Sequence, residues 1–384
     1  MDKIDEVLIR GVAQVLPDKK GLHDLMAKKK IKLYQGFDPS APSLHLGNFV
    51  GLMKLRQFQK LGHEVIFLVG DFTGMIGDPT DKLAARPKLT REQVLENAKS
   101  WKDQASKVLD FEGKNPAKIL FNSEWNDKLS FTDIINLMSK ATYAQIIERD
   151  MFQKRIEEDK DIWMHEFLYP IIQGYDSVAM DVDLEIGGND QLFNMMVGRR
   201  LMKALKNKEK YVLTTKLLVD KEGMKVGKTT GNALFLDSTP EKFYAGVMSF
   251  PDETILLGFE LLTECSLDGL EEKVKKSPMM EKKRLAFEIV KLLWGEKSAK
   301  DSEKSFETTF QEKAPTFDIK VKAEETLAKT IVPFSPRNSM ASVKELIRQG
   351  AVDVNGEKVT DGNISLKVGD EIKVGERTFI KVSK

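Results

Sequence analysis

Residues 31–69 carry the pattern that most limits what this chain can fold into. Residues 31–37 (IKLYQGF) read as a strand. Residues 47–61 then set Val50, Met53, Leu55, Phe58 and Leu61 at helical spacing, and the pattern stops at Gly62. Residues 64–69 (EVIFLV) form a continuous apolar run, as in a parallel strand covered on both faces. Parallel strands cannot be joined by a tight turn, so the helix has to cross over between them. The result is a βαβ unit, which predicts an α/β first domain.

Further along, the texture changes. Thr239-Pro240-Glu241 and Ser277-Pro278 each place an N-cap residue before a proline at the first helical position. Leu285, Ile289, Leu292 and Leu293 follow at helical spacing. Pro315, Pro333 and Pro336 mark a linker. Beyond it, Ser342 and Glu345 offer a capping box for a short helix that stops at Gly350. Val352 and Val354 lead into Asn355-Gly356, a hairpin signal, and short alternating strands fill the rest. Three parts are expected: an α/β domain over residues 1–236, a helical domain over 237–328 and a small α+β module over 329–384.

Composition narrows the class. Hydrophobic residues make up 41% and charged residues 31%, a globular mixture. The densest apolar patch, residues 65–70, is too short to span a bilayer, so no membrane association is expected. The opening MDKIDEVLIR has no apolar signal region. A single cysteine, Cys265, excludes an internal disulfide and a cysteine-based metal cluster. These features predict a cytoplasmic protein. The net charge of +1 argues against a surface coated in positive charge, so any RNA site has to be a local basic patch.

Three segments carry candidate chemistry. The first runs from Asp38 through Ser40, His45 and Gly47 to Asn48 and joins the first strand to its helix. Ligands of open α/β sheets bind at such strand ends, and a helix N-terminus offers free N–H groups to phosphates. Gly47 would let a nucleotide approach, and His45 can donate to a phosphate oxygen. Alone, His45 reads as a solvated histidine on a capped loop. The second segment is Gly223-Met-Lys225-Val-Gly-Lys228-Thr229. An ATPase-type phosphate loop needs glycine where Glu222 stands, which excludes that reading. Two lysines on a loop could close on a pyrophosphate group; alone they read as a basic surface turn. The third is a helix around residues 164–180 on which Tyr169, Gln173 and Asp176 share one face amid apolar neighbours. Buried polar groups need partners, so this line reads as a site more readily than as a solvated stripe. Pro170 implies a kink or a helix start nearby.

Together these segments resemble a known family. His45-Leu-Gly-Asn48 resembles the His-Ile-Gly-His signature of class I aminoacyl-tRNA synthetases, with asparagine where a second histidine is commoner. Lys225-Val-Gly-Lys228-Thr229 resembles their Lys-Met-Ser-Lys-Ser loop in the form that tyrosyl-tRNA synthetases favour. Tyr-x-x-x-Gln-x-x-Asp over residues 169–176 resembles the tyrosine-binding helix of that group. The resemblance implies a Rossmann-like parallel-sheet catalytic domain, then a helical anticodon-side domain and a small RNA-binding module. It implies that Asp176 and Tyr34 contact the substrate phenol and that Tyr169, Gln173, Thr73, Asp78 and Gln191 surround its amino-acid end. It assigns ATP to Asp38, Ser40, His45, Gly47, Asn48, Gly188, Asp190, Lys225, Lys228 and Thr229. Charge stabilisation in the transition state falls to His45, Lys82, Arg86, Lys225 and Lys228. Mg²⁺ is expected to travel with ATP, with no tightly bound protein metal. The C-terminal module resembles an RNA-binding domain shared with a ribosomal small-subunit protein, with Lys344 and Arg348 on one helix face. Tyrosine, ATP, tRNA(Tyr) and a second copy of the chain are the implied partners. A tryptophanyl enzyme, which shares both signatures, and a non-enzymatic RNA-binding protein on the same fold are the rival readings.

Overall fold

The computed structural model describes residues 2–80, 89–226, 233–311, 317, 319–335, 338–375 and 378–383. The chain divides into two compact units. The first comprises Met1–Gly227, Phe235–Asp237 and Glu253–Lys276. Its sheet contains β1 (Val12–Leu16), β2 (Lys32–Phe37), β3 (Glu64–Val69), β4 (Lys118–Phe121), β5 (Leu184–Gly188) and β6 (Tyr211–Thr215). The strand order is β1-β6-β5-β2-β3-β4, parallel except for β1, which runs antiparallel to β6 at one edge.

The βαβ unit expected from the sequence forms the centre of this sheet. β2 and β3 pair from Lys32↔Glu64 to Phe37↔Val69, and five of the six β3 residues are buried. Helix α1 (Leu46–Lys60) crosses between them and is packed by Phe49, Leu52, Leu55 and Phe58, all fully buried. After β2 the chain steps to β3 and β4 on one side and to β5 and β6 on the other. The crevice at the carboxyl ends of β2 and β5 is therefore the topological switch point. Two further helices matter to that crevice: α2 (Tyr169–Met180) and α3 (Leu192–Lys206). Pro170 sits in the first turn of α2, where a missing N–H costs nothing. The sequence reading of one helix over 164–180 is thereby divided: Met164–Phe167 is a separate 3₁₀ turn, and α2 starts at Tyr169.

The second unit comprises Lys228–Leu234, Ser238–Asp252 and Ser277–Lys384. Its helices are α4 (Pro240–Met248), α5 (Pro278–Trp294) and α6 (Glu296–Phe306). Thr239 caps α4 as its sequence indicates, accepting from the Lys242 amide, and Phe243 packs edge-on against Trp294 at 5.4 Å. The rest is a five-stranded sheet of order β7-β11-β10-β8-β9, with two helices, α7 (Leu327–Ile331) and α8 (Met340–Arg348). Its strands are β7 (Ile319–Lys322), β8 (Val352–Val354), β9 (Glu357–Lys358), β10 (Glu371–Val374) and β11 (Thr378–Ser383). The β8–β9 hairpin turns on Asn355 and Gly356, both at positive φ (52° and 84°), as a type I′ turn requires.

Two features of this part differ from the sequence reading. The cap of α8 is Ser339, which accepts from the Ser342 amide, so Ser342 lies inside the first turn and makes no capping box with Glu345. The small sheet also recruits earlier residues. β7 pairs in parallel with β11, and Leu327, Ala328 and Ile331 share one buried core with Val343, Ile347, Val352, Ile372 and Ile380. Residues 319–328, read from the sequence as the end of the helical part, therefore belong to the sheet and core of the last module.

That core sets an expectation. Leu327 and Ile331 are fully buried. Deleting both removes about 3–6 kcal/mol of apolar burial, as much as the net stability of a small domain. A fragment of residues 317–384 should unfold in one cooperative transition followed by circular dichroism. A fragment beginning at Ser335 should show none.

Candidate active site

The carboxyl ends of the parallel strands supply the first side chains. Asp38 follows β2, and its carboxylate accepts from the Tyr169 hydroxyl at 2.8 Å and from Thr73 Oγ1 at 2.7 Å. This packing needs Gly70 after β3, because a Cβ there would lie 2.1 Å from Asp38 Oδ1. Asp38, assigned by resemblance to the nucleotide, is thus held by two residues assigned to the amino acid.

Asp176 of α2 is 2% exposed and accepts three N–H bonds. Trp125 Nε1 lies at 2.8 Å and Asn126 Nδ2 at 3.1 Å from Oδ1, and Asn122 Nδ2 lies at 3.1 Å from Oδ2. Asn122 follows β4, and Trp125 and Asn126 lie on the single turn after it. Burial pushes the Asp176 carboxyl up to about 8, against the pull of its three donors. Beside it, Tyr34 of β2 is 1% exposed, with its hydroxyl 2.9 Å from Ser177 Oγ. Burial raises the Tyr34 and Tyr169 phenols well above the ordinary value, so both stay neutral hydrogen-bonding groups. Gln173, one turn before Ser177, donates through Nε2 to Glu185 Oε1 at 3.2 Å, and its buried Oε1 has no hydrogen-bond partner. Across the crevice, Gln191 Nε2 donates to Asp78 Oδ2 at 2.7 Å, and Asp78 Oδ1 accepts from the Thr80 hydroxyl and amide.

A second group of residues lies at the start of α1. His45 is its N-cap: Nδ1 accepts from the Asn48 amide at 3.2 Å, while Asn48 Oδ1 accepts from the His45 amide at 2.9 Å. An Nδ1 that accepts is unprotonated, which places the proton of the neutral ring on Nε2. Gly47 leaves room for that ring, since a Cβ there would come within 3.0 Å of it. Ser40 is exposed on the same loop. On the other side of the switch point, Gly188 ends β5, and Asp190 follows in a single 3₁₀ turn. Asp190 is paired with Lys225 at 2.6 Å. Lys225 is carried on a hairpin that bridges to Val219 and turns at Gly223.

Lys82, Arg86, Lys228 and Thr229 lie outside the described residues. In the other unit, Lys344 and Arg348 are exposed on one face of α8, Arg348 paired with Glu345 at 2.8 Å, while Val343 and Ile347 are buried behind them. Residues that the sequence reading did not single out are Asn122, Trp125, Asn126, Ser177, Glu185 and Lys210. The Glu185 carboxylate within LEIGG (184–188) and an Asn/Trp/Asn trio after KILF were the available signals.

The crevice brings together two sets of groups. One is a buried polar cluster ending in the Asp176 acceptor beside the Tyr34 phenol. The other is a helix N-terminus with a histidine N–H and a lysine–aspartate pair.

Comparison with known proteins places this geometry. Residues 26–311 match the model of class I tRNA synthetases for tryptophan and tyrosine, and residues 337–372 match the S4 domain. The tyrosine--tRNA ligase of Carboxydothermus hydrogenoformans is 40% identical over 98% of this chain and 97% of its own length. That of Thermotoga maritima is 38% identical over 98% and 96%. Among solved structures, a C-terminally truncated mitochondrial tyrosyl-tRNA synthetase of Coccidioides posadasii shares the fold at a TM-score of 0.66 and 24% identity, covering 79% of this chain and 91% of that one. The tyrosyl-tRNA synthetase of Archaeoglobus fulgidus, solved with L-tyrosine, shares it at 0.61 and 22%, covering 78% and 98%. With the two signatures, the buried Asp176 pocket and similarity along the whole chain, this protein belongs to the bacterial-type tyrosyl-tRNA synthetases of class I.

Proposed function

We propose that this chain activates L-tyrosine with ATP and transfers the tyrosyl group to the 3′-terminal ribose of tRNA(Tyr). The observation that carries the amino-acid choice is Asp176. It is a buried carboxylate, filled by three donors that cannot accept a proton, with Tyr34 next to it. A hydroxyl is the ligand group that suits this end, because it can donate to the carboxylate and accept from the phenol. The tryptophan side chain has no hydroxyl to offer, which favours tyrosine within the family. At the other end, an ammonium is matched by Asp78 and by the partnerless Gln173 Oε1, with Tyr169, Thr73 and Gln191 holding the surrounding network.

ATP is assigned to the loop of Asp38, Ser40, His45, Gly47 and Asn48 and to Gly188, Asp190, Lys225, Lys228 and Thr229. The tyrosine carboxylate is ionised at neutral pH and attacks the α-phosphorus; pyrophosphate leaves with the electron pair of the broken P–O bond. No strong base is required, so catalysis rests on position and charge. His45 Nε2–H and the lysines act on phosphate oxygens, joined by Lys82 and Arg86. The carboxylates of the crevice already have partners: Asp38 holds Tyr169 and Thr73, Asp78 holds Gln191, and Asp190 holds Lys225. Such a set fits Mg²⁺ carried on the nucleotide phosphates. A hydroxyl of the terminal ribose then attacks the adenylate carbonyl and AMP leaves. Lys344 and Arg348 supply the basic face for tRNA on a module that begins ahead of Ile319, after a catalytic part to residue 236, which Glu253–Lys276 rejoin, and a helical part. A cytoplasmic location fits these substrates.

The proposed partner also includes a second copy. On the helix Phe131–Met138, Phe131 is 80%, Ile135 52% and Met138 41% exposed, and all three share one face. A contiguous apolar face of this kind fits a protein interface.

Four results test this reading. Asp176→Ala and Tyr34→Phe should each lower the preference for tyrosine over phenylalanine in pyrophosphate exchange by roughly tenfold or more, because an unpaired buried polar group costs about 1–3 kcal/mol. Tyrosyl-tRNA synthetases are themselves the familiar illustration of this rule. Unchanged preference in both variants would remove the pocket assignment. The native protein should meanwhile lose thermal stability relative to Asp176→Asn as pH climbs towards 8.5. A carboxyl whose folded value is raised binds more protons folded than unfolded, so its presence destabilises increasingly as pH climbs from about 4 to 8. Lys225→Ala should slow adenylate formation by about 10²-fold in single turnovers with little change in tyrosine affinity. Finally, light scattering should give a dimer for the native chain and a monomer for Phe131→Asp with Ile135→Asp.

A further inference from the structure

Behind the pocket lies a buried ion pair that the reaction itself does not use. Lys210, just before β6, is fully buried and pairs with Glu185 of β5, which is 1% exposed. Burying two charges is expensive and their pairing at best repays it, so such a pair is poor evidence of stabilisation. Its contacts point to another role. Lys210 Nζ has three N–H bonds to give, and all are placed: to Glu185, to the Met195 carbonyl at 3.1 Å and to Ser177 Oγ at 2.9 Å. Ser177 Oγ in turn lies 2.9 Å from the Tyr34 hydroxyl and 3.3 Å from Glu185 Oε2.

A hydroxyl–hydroxyl contact has no inherent direction, because either oxygen can donate. An ammonium removes that freedom, since it cannot accept. Ser177 must receive the lysine N–H, which leaves its own single proton to give. Two oxygens can take that proton, Glu185 Oε2 at 3.3 Å and the Tyr34 hydroxyl at 2.9 Å, the shorter contact. With the proton on the shorter contact, Tyr34 accepts from behind and its own O–H donates forward. The direction matters because Asp176, surrounded by three donors, is an acceptor. A substrate hydroxyl that donates to Asp176 needs a donor on its own oxygen.

Resting on the tyrosine reading above, we propose that Lys210, paired with Glu185, is a positioning residue that fixes Tyr34 as a hydrogen-bond donor to the substrate hydroxyl through Ser177. The chain of donation runs Lys210 to Ser177 to Tyr34 to substrate to Asp176. Glu185 also accepts from Gln173 at 3.2 Å, so the same carboxylate steadies the residue proposed to meet the ammonium end.

The test is a double-mutant cycle read as the tyrosine-over-phenylalanine ratio of kcat/KM in pyrophosphate exchange. Ser177→Ala should lower the ratio about fivefold to tenfold, the worth of one neutral hydrogen bond. In a Tyr34→Phe background it should change the ratio by less than about twofold, because Ser177 acts only through that hydroxyl. Lys210→Met combined with Glu185→Gln removes both charges together and should reproduce the Ser177→Ala loss. An unchanged ratio in Ser177→Ala, or an equal loss in both backgrounds, overturns the proposal; a loss of folding alone would be equal in both. The native protein gives an independent reading with 4-aminophenylalanine, whose para group donates N–H bonds but accepts poorly. It should be rejected at least about tenfold relative to tyrosine, and less in Tyr34→Phe. Use of this analogue as readily as tyrosine would show that Tyr34 accepts, and the proposal would be wrong. Absence of any tyrosine-dependent exchange in the native protein would instead remove the function reading itself.

Discussion

A carboxylate buried among apolar helices is tolerable only when it is surrounded by donors, and Asp176 is surrounded by three. That requirement organises much of the first unit. It draws Asn122 from the end of β4 and Trp125 and Asn126 from the turn after it towards α2. Asn122 also donates to Thr73 Oγ1 at 3.0 Å, and Thr73 holds Asp38, which holds Tyr169 on the first turn of the same helix. The pocket is therefore a closed ring of hydrogen bonds linking β2, β3, β4 and α2. Removing one member leaves others unpaired in a dry site, so the ring is expected to respond as a unit to substitution.

The sheet decides where such a ring can be built. All the parallel strands end at the same edge, and the chain departs from β2 in both directions. Loops from the two halves thus diverge and leave a crevice. The N-terminus of α1, where His45 and Asn48 cap each other, borders that crevice on the side proposed for the nucleotide. Because His45 Nδ1 is used in the cap, the ring is oriented and its N–H lies on Nε2. One residue thereby starts the helix and presents a donor, which explains why the signature lies at a helix start.

Much of this was legible in the residues. The βαβ unit, α1, the polar line of α2 and the Asn355-Gly356 turn follow from periodicity and local chemistry, which act over a few residues. What was not legible depended on distant pairing. β4 is four residues long, so the Asn122, Trp125 and Asn126 donors had no visible element to anchor them. β7 (IKVK) alternates like a surface strand, and its parallel partner lies about sixty residues on, beyond any local signal. Ser339 won the cap of α8 over Ser342 because the backbone before the helix, and not the spacing of serine and glutamate, sets where the helix begins. Glu185 and Lys210 each looked like an ordinary charge; only the adjacency of β5 and β6 brings them together.

Substrate choice turns on the protonation of Asp176, and that can be observed directly. Carbon-13 NMR of aspartate-labelled protein, with Asp176→Asn used to assign the carboxyl signal, should show this group titrating near pH 8 when no amino acid is bound. Saturating tyrosine should move the midpoint down, because a phenol that donates to the carboxylate favours its charged form. Phenylalanine, with no hydroxyl, should not. No displacement by tyrosine, or the same displacement with both amino acids, would contradict the claim that a buried acceptor at Asp176 selects the substrate.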